Sequence, residues 1–104
     1  MPPTALSRHD ALAAVYAAID EIAGQLEAGA RIEKTPDTPL LGDGSPLDSL
    51  ALINLIVALE EIAARRRGRP VQLLDEDLLG EQDGPYRTPA TLAEHLAAHL
   101  ADAA

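Results

Sequence analysis

The sequence predicts an all-α fold with three long helices and a short helix before the last of them. Apolar residues recur at steps of three and four in three separate stretches, the spacing of one face of an α-helix. Hydrophobic residues make up 47% of the 104 residues, yet the chain contains no Phe, Trp or Cys. Such a core must consist of Leu, Ile, Val and Ala, which suits closely packed helices. The length corresponds to one domain over residues 1–104.

The first helix is expected to run from about Arg8 to Ala28. Ser7 is in the capping position, and Asp10 follows three residues later as the acidic member of a capping box. Gly29 supplies a stop signal. The apolar residues at helical spacing are Leu12, Val15, Tyr16, Ile19, Ile22, Ala23 and Leu26. The termini, residues 1–7 and 101–104, are expected to fray.

Residues 30–47 are predicted to form a long first loop. They have no helical period and include Pro36, Pro39, Gly42, Gly44 and Pro46. Loops of this length in compact domains tend to be functional. The apolar residues that could anchor this loop to the core are Leu40, Leu41 and Leu47.

The second helix is expected from about Ser49 to Arg66, ending at the pair Gly68 and Pro70. Its apolar stripe consists of Leu52, Ile56, Leu59 and Ala63. Four arginines crowd into positions 65–69. They either complement the negative end of the helix dipole or recognise a partner or a phosphate group, and the sequence leaves both interpretations open.

The last two helices follow in quick succession. Residues 71–79 read as a helical turn or two, and residues 81–87 as a loop. Thr88 before Pro89 is a strong helix start, because threonine caps and proline fits the first helical position. The apolar residues of the last helix are Leu92, Leu96 and Leu100.

Charge and composition exclude several classes of function. The formal net charge of −9 disfavours nucleic-acid binding, which needs a basic surface, and favours basic partners. We find no stretch that could span a membrane or serve as a secretory signal, so we expect a cytoplasmic protein without membrane insertion. Because the chain has no cysteine, any thiol chemistry must depend on a prosthetic group.

Independent catalysis and metal binding are not expected. His95 and His99 are four residues apart and could share a helix face, but no further ligand accompanies them in a known metal motif. The stretch Gly42-Asp43-Gly44 lacks the Gly-Lys-Ser/Thr of a phosphate-binding loop. Ser45 is not in a G-x-S-x-G elbow. We therefore predict a protein that is not an enzyme, with no catalytic residues and no metal.

The most informative motif is Leu47-Asp48-Ser49-Leu50, which places a serine where the long loop becomes an apolar helix. Asp48 and Ser49 could simply cap that helix. In its context of a preceding long helix and a glycine-bearing loop, however, the motif resembles the modification site of acyl carrier proteins. The resemblance extends from about residue 40 to residue 100.

The resemblance implies that Ser49 is esterified by 4′-phosphopantetheine, whose thiol carries cargo as a thioester. A phosphopantetheinyl transferase would attach this group from coenzyme A with Mg²⁺, recognising Asp48, while Leu50 packs or contacts the partner. It also implies an antiparallel four-helix bundle of acyl-carrier type, with a short third helix and a long first loop. We expect a monomer served by a loading ligase and a downstream transferase. The predicted partner surface consists of Asn54, Glu60, Glu61 and Arg65.

The chain departs from the family pattern at the start of helix two, and this departure bears on which cargo it carries. Fatty-acid carriers display acids early on helix two, where this chain has Ala51 and Asn54. We therefore favour a specialised stand-alone carrier for a dedicated biosynthetic pathway. A discrete aminoacyl or peptidyl carrier, as in nonribosomal peptide synthesis, is one alternative. The other is an unmodified acidic adaptor that binds a basic partner through helix two.

Overall fold

The computed structural model describes residues 8–24, 33–41, 49–68, 70–75, 77 and 84–102. Within these ranges the chain is all-helical, with three helices and no strand. The helices are α1 (Arg8–Ala23), α2 (Ser49–Arg67) and α3 (Pro89–Asp102). None of them is long and apolar enough to cross a lipid bilayer.

Helix α1 packs against both α2 and α3. Arg66, near the end of α2, donates to the carbonyl oxygen of Asp10 in the first turn of α1 (3.5 Å), so these two helices run antiparallel. The shared core is almost entirely aliphatic, because small and branched side chains allow the helices to approach closely. Its large, fully buried members are Val15, Ile19, Ile22, Leu40, Leu52, Leu55, Ile56, Leu59, Tyr86, Leu92 and Leu96.

The ends of α2 and α3 follow the predicted signals. Gly68 takes a positive φ of 77°, and its N–H donates to the carbonyl of Ala64 at 2.7 Å, which satisfies one of the last helical carbonyls. At the start of α3, the hydroxyl of Thr88 accepts from the N–H of Thr91 at 3.2 Å. Thr88 is therefore the N-cap and Pro89 the first helical residue, as predicted.

The described part of the first loop, residues 33–41, is tied to two helices. Lys34 forms an ion pair with Asp20 of α1, with Nζ 3.0 Å from Oδ1. Leu40 is fully buried and donates its N–H to the carbonyl of Arg87 at 2.8 Å. Thr38, also buried, donates its hydroxyl to the carbonyl of Glu33 at 2.7 Å. The expectation that Leu40 anchors this loop is confirmed, whereas Leu47 lies outside the described residues.

The end of α1 differs from the predicted boundary. Helix α1 ends at Ala23, with Gly24 in a turn, and the predicted end at Ala28 before Gly29 lies outside the described residues. Residues 101–102 are the last two residues of α3, and the expectation that this end frays stays a prediction. Residues 1–7 and 103–104 lie outside the described residues.

The short third helix in chain order was predicted over residues 71–79. Residues 70–75 adopt no regular secondary structure, and Asp77 is helical. The rest of that prediction, residues 76, 78 and 79, lies outside the described residues, as do residues 81–83 of the loop that follows. The described chain thus shows an all-helical fold with three helices.

Candidate functional site

The predicted attachment residue, Ser49, is the first residue of α2. This helix is 19 residues long, and the first N–H groups of a helix have no carbonyl partner within it. The positive end of the helix dipole is at the same place, so negative charge is stabilised there. Asp48 lies outside the described residues.

Leu50, the residue after the serine, is 66% exposed. Among the side chains that the structure describes, the other large apolar residue left exposed is Val57 (38%). Both lie on α2, seven residues apart, and therefore on one side of the helix. Steps of three and four residues from Leu50 define a single face, which we call the α2 stripe: Leu50, Asn54, Val57, Glu61 and Arg65.

The stripe combines apolar and charged side chains on an accessible surface. Glu61 and Arg65 are exposed, while Asn54 is half-buried and engaged in an interaction within the chain. The three predicted partner residues Asn54, Glu61 and Arg65 thus share one helix face with Leu50. Their role in binding stays a prediction.

Glu60, the fourth predicted partner residue, is engaged within the chain. Its Oε2 atom accepts the backbone N–H of Leu73 at 2.6 Å and that of Leu74 at 2.9 Å. These are charge-assisted hydrogen bonds, which are stronger than those between neutral groups. Glu60 therefore organises residues 73–74, and a partner could reach this oxygen only by competing with them.

Tyr86 contacts the same segment from the other side. Its ring is fully buried, and its hydroxyl donates to the carbonyl of Leu73 at 2.6 Å while accepting the N–H of Asp75 at 3.1 Å. Burial raises the pKa of the Tyr86 phenol above 10.0, although the hydrogen bond from Asp75 partly opposes the shift. The hydroxyl is thus held as a neutral donor and acceptor at ordinary pH.

The two histidines of α3 extend this cluster. The His95 ring meets Tyr86 edge-on, with centroids 6.1 Å apart, and lies 6.5 Å from the ring of His99. Burial lowers the pKa of His95 below 6.5, and the charge of His99 lowers it further, against a weaker opposing influence of Asp75. Within the described ranges, no three His, Asp or Glu side chains are placed to hold a metal ion.

The role of Tyr86 was not predicted from the sequence. A signal was present, since Tyr86 is one of two Phe, Trp or Tyr residues in the chain and stands three residues before Pro89, the first residue of α3. A large aromatic residue buried in an otherwise aliphatic core usually has a defined hydrogen-bond partner for its hydroxyl.

Two sets of residues therefore lie on or next to α2. One set is the serine at its start together with the exposed stripe, and the other is the internal cluster of Glu60, Tyr86 and His95. The first set includes the exposed side chains Leu50, Val57, Glu61 and Arg65, whereas the second set makes hydrogen bonds and ring contacts within the chain. No family model, curated protein or solved structure matches the chain.

Proposed function

We propose that this chain is a carrier domain in which Ser49 bears a 4′-phosphopantetheine arm. The observation that supports this most is the position of Ser49 as the first residue of α2, preceded by Asp48 and followed by the exposed Leu50. The arrangement combines an acidic residue, a modifiable hydroxyl and an accessible apolar side chain at one helix start. We further propose that a short helix containing Asp77, which is helical, completes an antiparallel four-helix bundle of acyl-carrier type after the non-helical residues 70–75.

The residues at the start of α2 suit such a group. A phosphodiester on Ser49 would lie where free backbone N–H groups and the helix dipole favour an anion. The exposed side chain of Leu50 offers an apolar contact beside it. When bound, the arm supplies a thiol that can carry cargo as a thioester, a group that this chain, with no cysteine, does not itself contain.

Attachment requires a separate enzyme. The Ser49 hydroxyl oxygen forms a bond to phosphorus, the pyrophosphate linkage of coenzyme A breaks, and the serine proton passes to a base of the transferase. The leaving group is the adenosine 3′,5′-bisphosphate half of coenzyme A, and Mg²⁺ bound by the transferase would assist the step. The carrier contributes the serine and the surface by which it is recognised, and performs no catalysis of its own.

The α2 stripe is the surface that we propose for partners. It begins next to Ser49, and its exposed apolar residues Leu50 and Val57 provide the area that protein interfaces bury. Glu61 and Arg65 follow on the same face. The net charge of −9 attracts basic partners, such as the transferase and the enzymes that load and unload a cytoplasmic carrier.

The test is the intact mass before and after incubation with coenzyme A, Mg²⁺ and a broad-specificity phosphopantetheinyl transferase. We expect the wild type to gain the mass of one arm, mapped to the peptide that contains Ser49. Ser49→Ala should remain folded by circular dichroism and gain nothing, whereas Ser45→Ala, the matched control four residues upstream, should be modified normally. A folded wild type that gains no mass overturns the proposal and favours an unmodified adaptor.

A further inference from the structure

Residues 70–75, which we call the strap, are held in place by side chains rather than by regular secondary structure. They form neither helix nor strand, yet Leu73 is only 4% exposed and Leu74 packs against the core. Buried backbone groups need hydrogen-bond partners. The groups that form hydrogen bonds with the strap's backbone therefore determine how easily the strap can open.

Glu60 of α2 provides the first attachment. A single oxygen, Oε2, accepts two consecutive N–H groups, those of Leu73 (2.6 Å) and Leu74 (2.9 Å). One carboxylate thus replaces two carbonyls that a neighbouring strand or helix turn would otherwise supply. The neighbouring Glu61 is exposed and offers a matched comparison.

Tyr86 provides the second attachment from the side of α3. Its hydroxyl accepts the N–H of Asp75 and donates to the carbonyl of Leu73, while its ring packs edge-on against His95 of α3. The strap is therefore hydrogen-bonded to Glu60 of α2 on one side and to Tyr86, just before α3, on the other. At its far end, the N–H of Asp77 bonds to the side chain of Asp75 at 2.9 Å, closing a local turn.

The helices have a different kind of support. Helices α1, α2 and α3 are stabilised by their own backbone hydrogen bonds, and α1 packs against the other two. The described hydrogen bonds of the strap to the rest of the chain end on Glu60 and Tyr86. Segments with few backbone bonds of their own open at a lower free energy than the helices that they cover.

We propose that the strap is a separately opening unit, closed over the helical core by the Glu60 carboxylate and the Tyr86 hydroxyl as two latches. When it opens, Leu73 leaves the core and both latches lose their partners together, because each one bonds Leu73. This conformational device is independent of whether Ser49 carries an arm.

Native-state amide hydrogen exchange on the full chain tests the proposal without any variant. In the wild type, we expect the amides of Leu73 and Leu74 to exchange through an opening that costs less free energy than the one that exposes Ile19 in α1 or Leu96 in α3. Its denaturant dependence should also be smaller, because less surface is exposed. Equal opening free energies at all four amides would overturn the proposal.

Two variants then identify the latches. Glu60→Ala should speed exchange at Leu73 and Leu74 roughly tenfold or more, since hydrogen bonds to charged groups are the stronger class, while Ile19 and Leu96 change far less. Tyr86→Phe, which removes only the hydroxyl, should speed exchange at Asp75 in the same selective way.

The control is Glu61→Ala, which should leave the strap unchanged. Acceleration by the same factor at strap and helix amides would mean that Glu60 supports the whole fold, and would overturn the latch assignment. If Glu60→Ala does not fold, Tyr86→Phe and the wild-type comparison still decide the question.

Discussion

The backbone N–H of Ala90, in the first turn of α3, donates to the carbonyl oxygen of Pro36 at 3.0 Å. A second backbone bond, from Leu40 to Arg87 at 2.8 Å, lies four residues further along the loop. The first loop therefore supplies a partner to an N–H group that a helix start leaves unsatisfied. Residues 36 and 40 of the first loop are thus bonded to the start of α3 and to the residue two positions before it.

The first prediction concerns the apolar anchor of this loop. Leu40 is fully buried, so Leu40→Ala should lower the free energy of unfolding by about 2–5 kcal/mol, through lost burial and the remaining cavity. Leu50→Ala is the matched control, because the same truncation at a 66% exposed site should change stability by less than about 0.5 kcal/mol. Urea denaturation measures both, and similar losses in the two variants would contradict the anchoring role of Leu40.

Local signals predicted most helix boundaries in this chain. Thr88 and Pro89 specify the start of α3 because capping chemistry depends on neighbouring residues alone. Gly68 marks the end of α2 for a similar reason, since its positive φ suits a residue without Cβ. The aliphatic stripe of α2 was also predicted correctly, because helical periodicity reports which face is buried.

Long-range pairings could not be predicted in this way. Glu60 was predicted to face a partner, yet its carboxylate bonds to residues 13 and 14 positions away. Helical periodicity places Glu60 beside the apolar stripe but does not reveal which segment packs there. Residues 73–75 have no period of their own, so the hydrogen-bond partners of Glu60 and Tyr86 become visible only in the folded chain.

The second prediction concerns the cap of α3. Thr88→Ala removes the hydroxyl that accepts the N–H of Thr91, which should cost about 0.5–2 kcal/mol of stability. Thr88→Ser keeps the oxygen and should cost clearly less. Thermal denaturation followed by circular dichroism measures the difference, and an equal loss in the alanine and serine variants would contradict a capping role.

The third prediction concerns partner recognition by the α2 stripe. If the proposed function holds, Val57→Lys, which places a charge at the centre of the stripe, should raise the KM of the transferase for this chain several-fold with little change in kcat. Ala13→Lys adds the same charge at an exposed position of α1 and serves as the control. If both variants change KM equally, net charge rather than the stripe governs recognition, whereas loss of modification in every variant would point instead to misfolding.

The fourth prediction is a loss of stability at alkaline pH that depends on Tyr86. The folded chain raises the pKa of this phenol above 10.0, mainly through burial, so the neutral form is favoured by folding. The neutral phenol therefore contributes fully to the stability of the fold below pH 10, and this contribution is lost as the pH rises through the pKa of Tyr86 in the folded chain. Melting temperatures of the wild type and Tyr86→Phe should therefore converge above pH 10, and a constant difference between them would contradict the prediction.

The fifth prediction is a loss of stability at acidic pH that depends on His95. Burial and the charge of His99 lower the pKa of His95 below 6.5, so folding favours the neutral imidazole. This contribution is present above pH 6.5 and is lost as the pH falls from there through the folded pKa. Unfolding free energies from urea titrations between pH 7.5 and about 4.5 should fall more steeply for the wild type than for His95→Gln.

Nuclear magnetic resonance titration of the imidazole separates the two causes of this shift. His99→Gln removes a neighbouring cation, so the His95 midpoint should move up towards 6.5 but stay below it, because burial against Tyr86 remains. Asp75→Asn should move the midpoint in the opposite direction, since Asp75 stabilises the protonated form. A wild-type midpoint at or above 6.5 would contradict the lowered pKa of His95 and, with it, the predicted loss of stability at acidic pH.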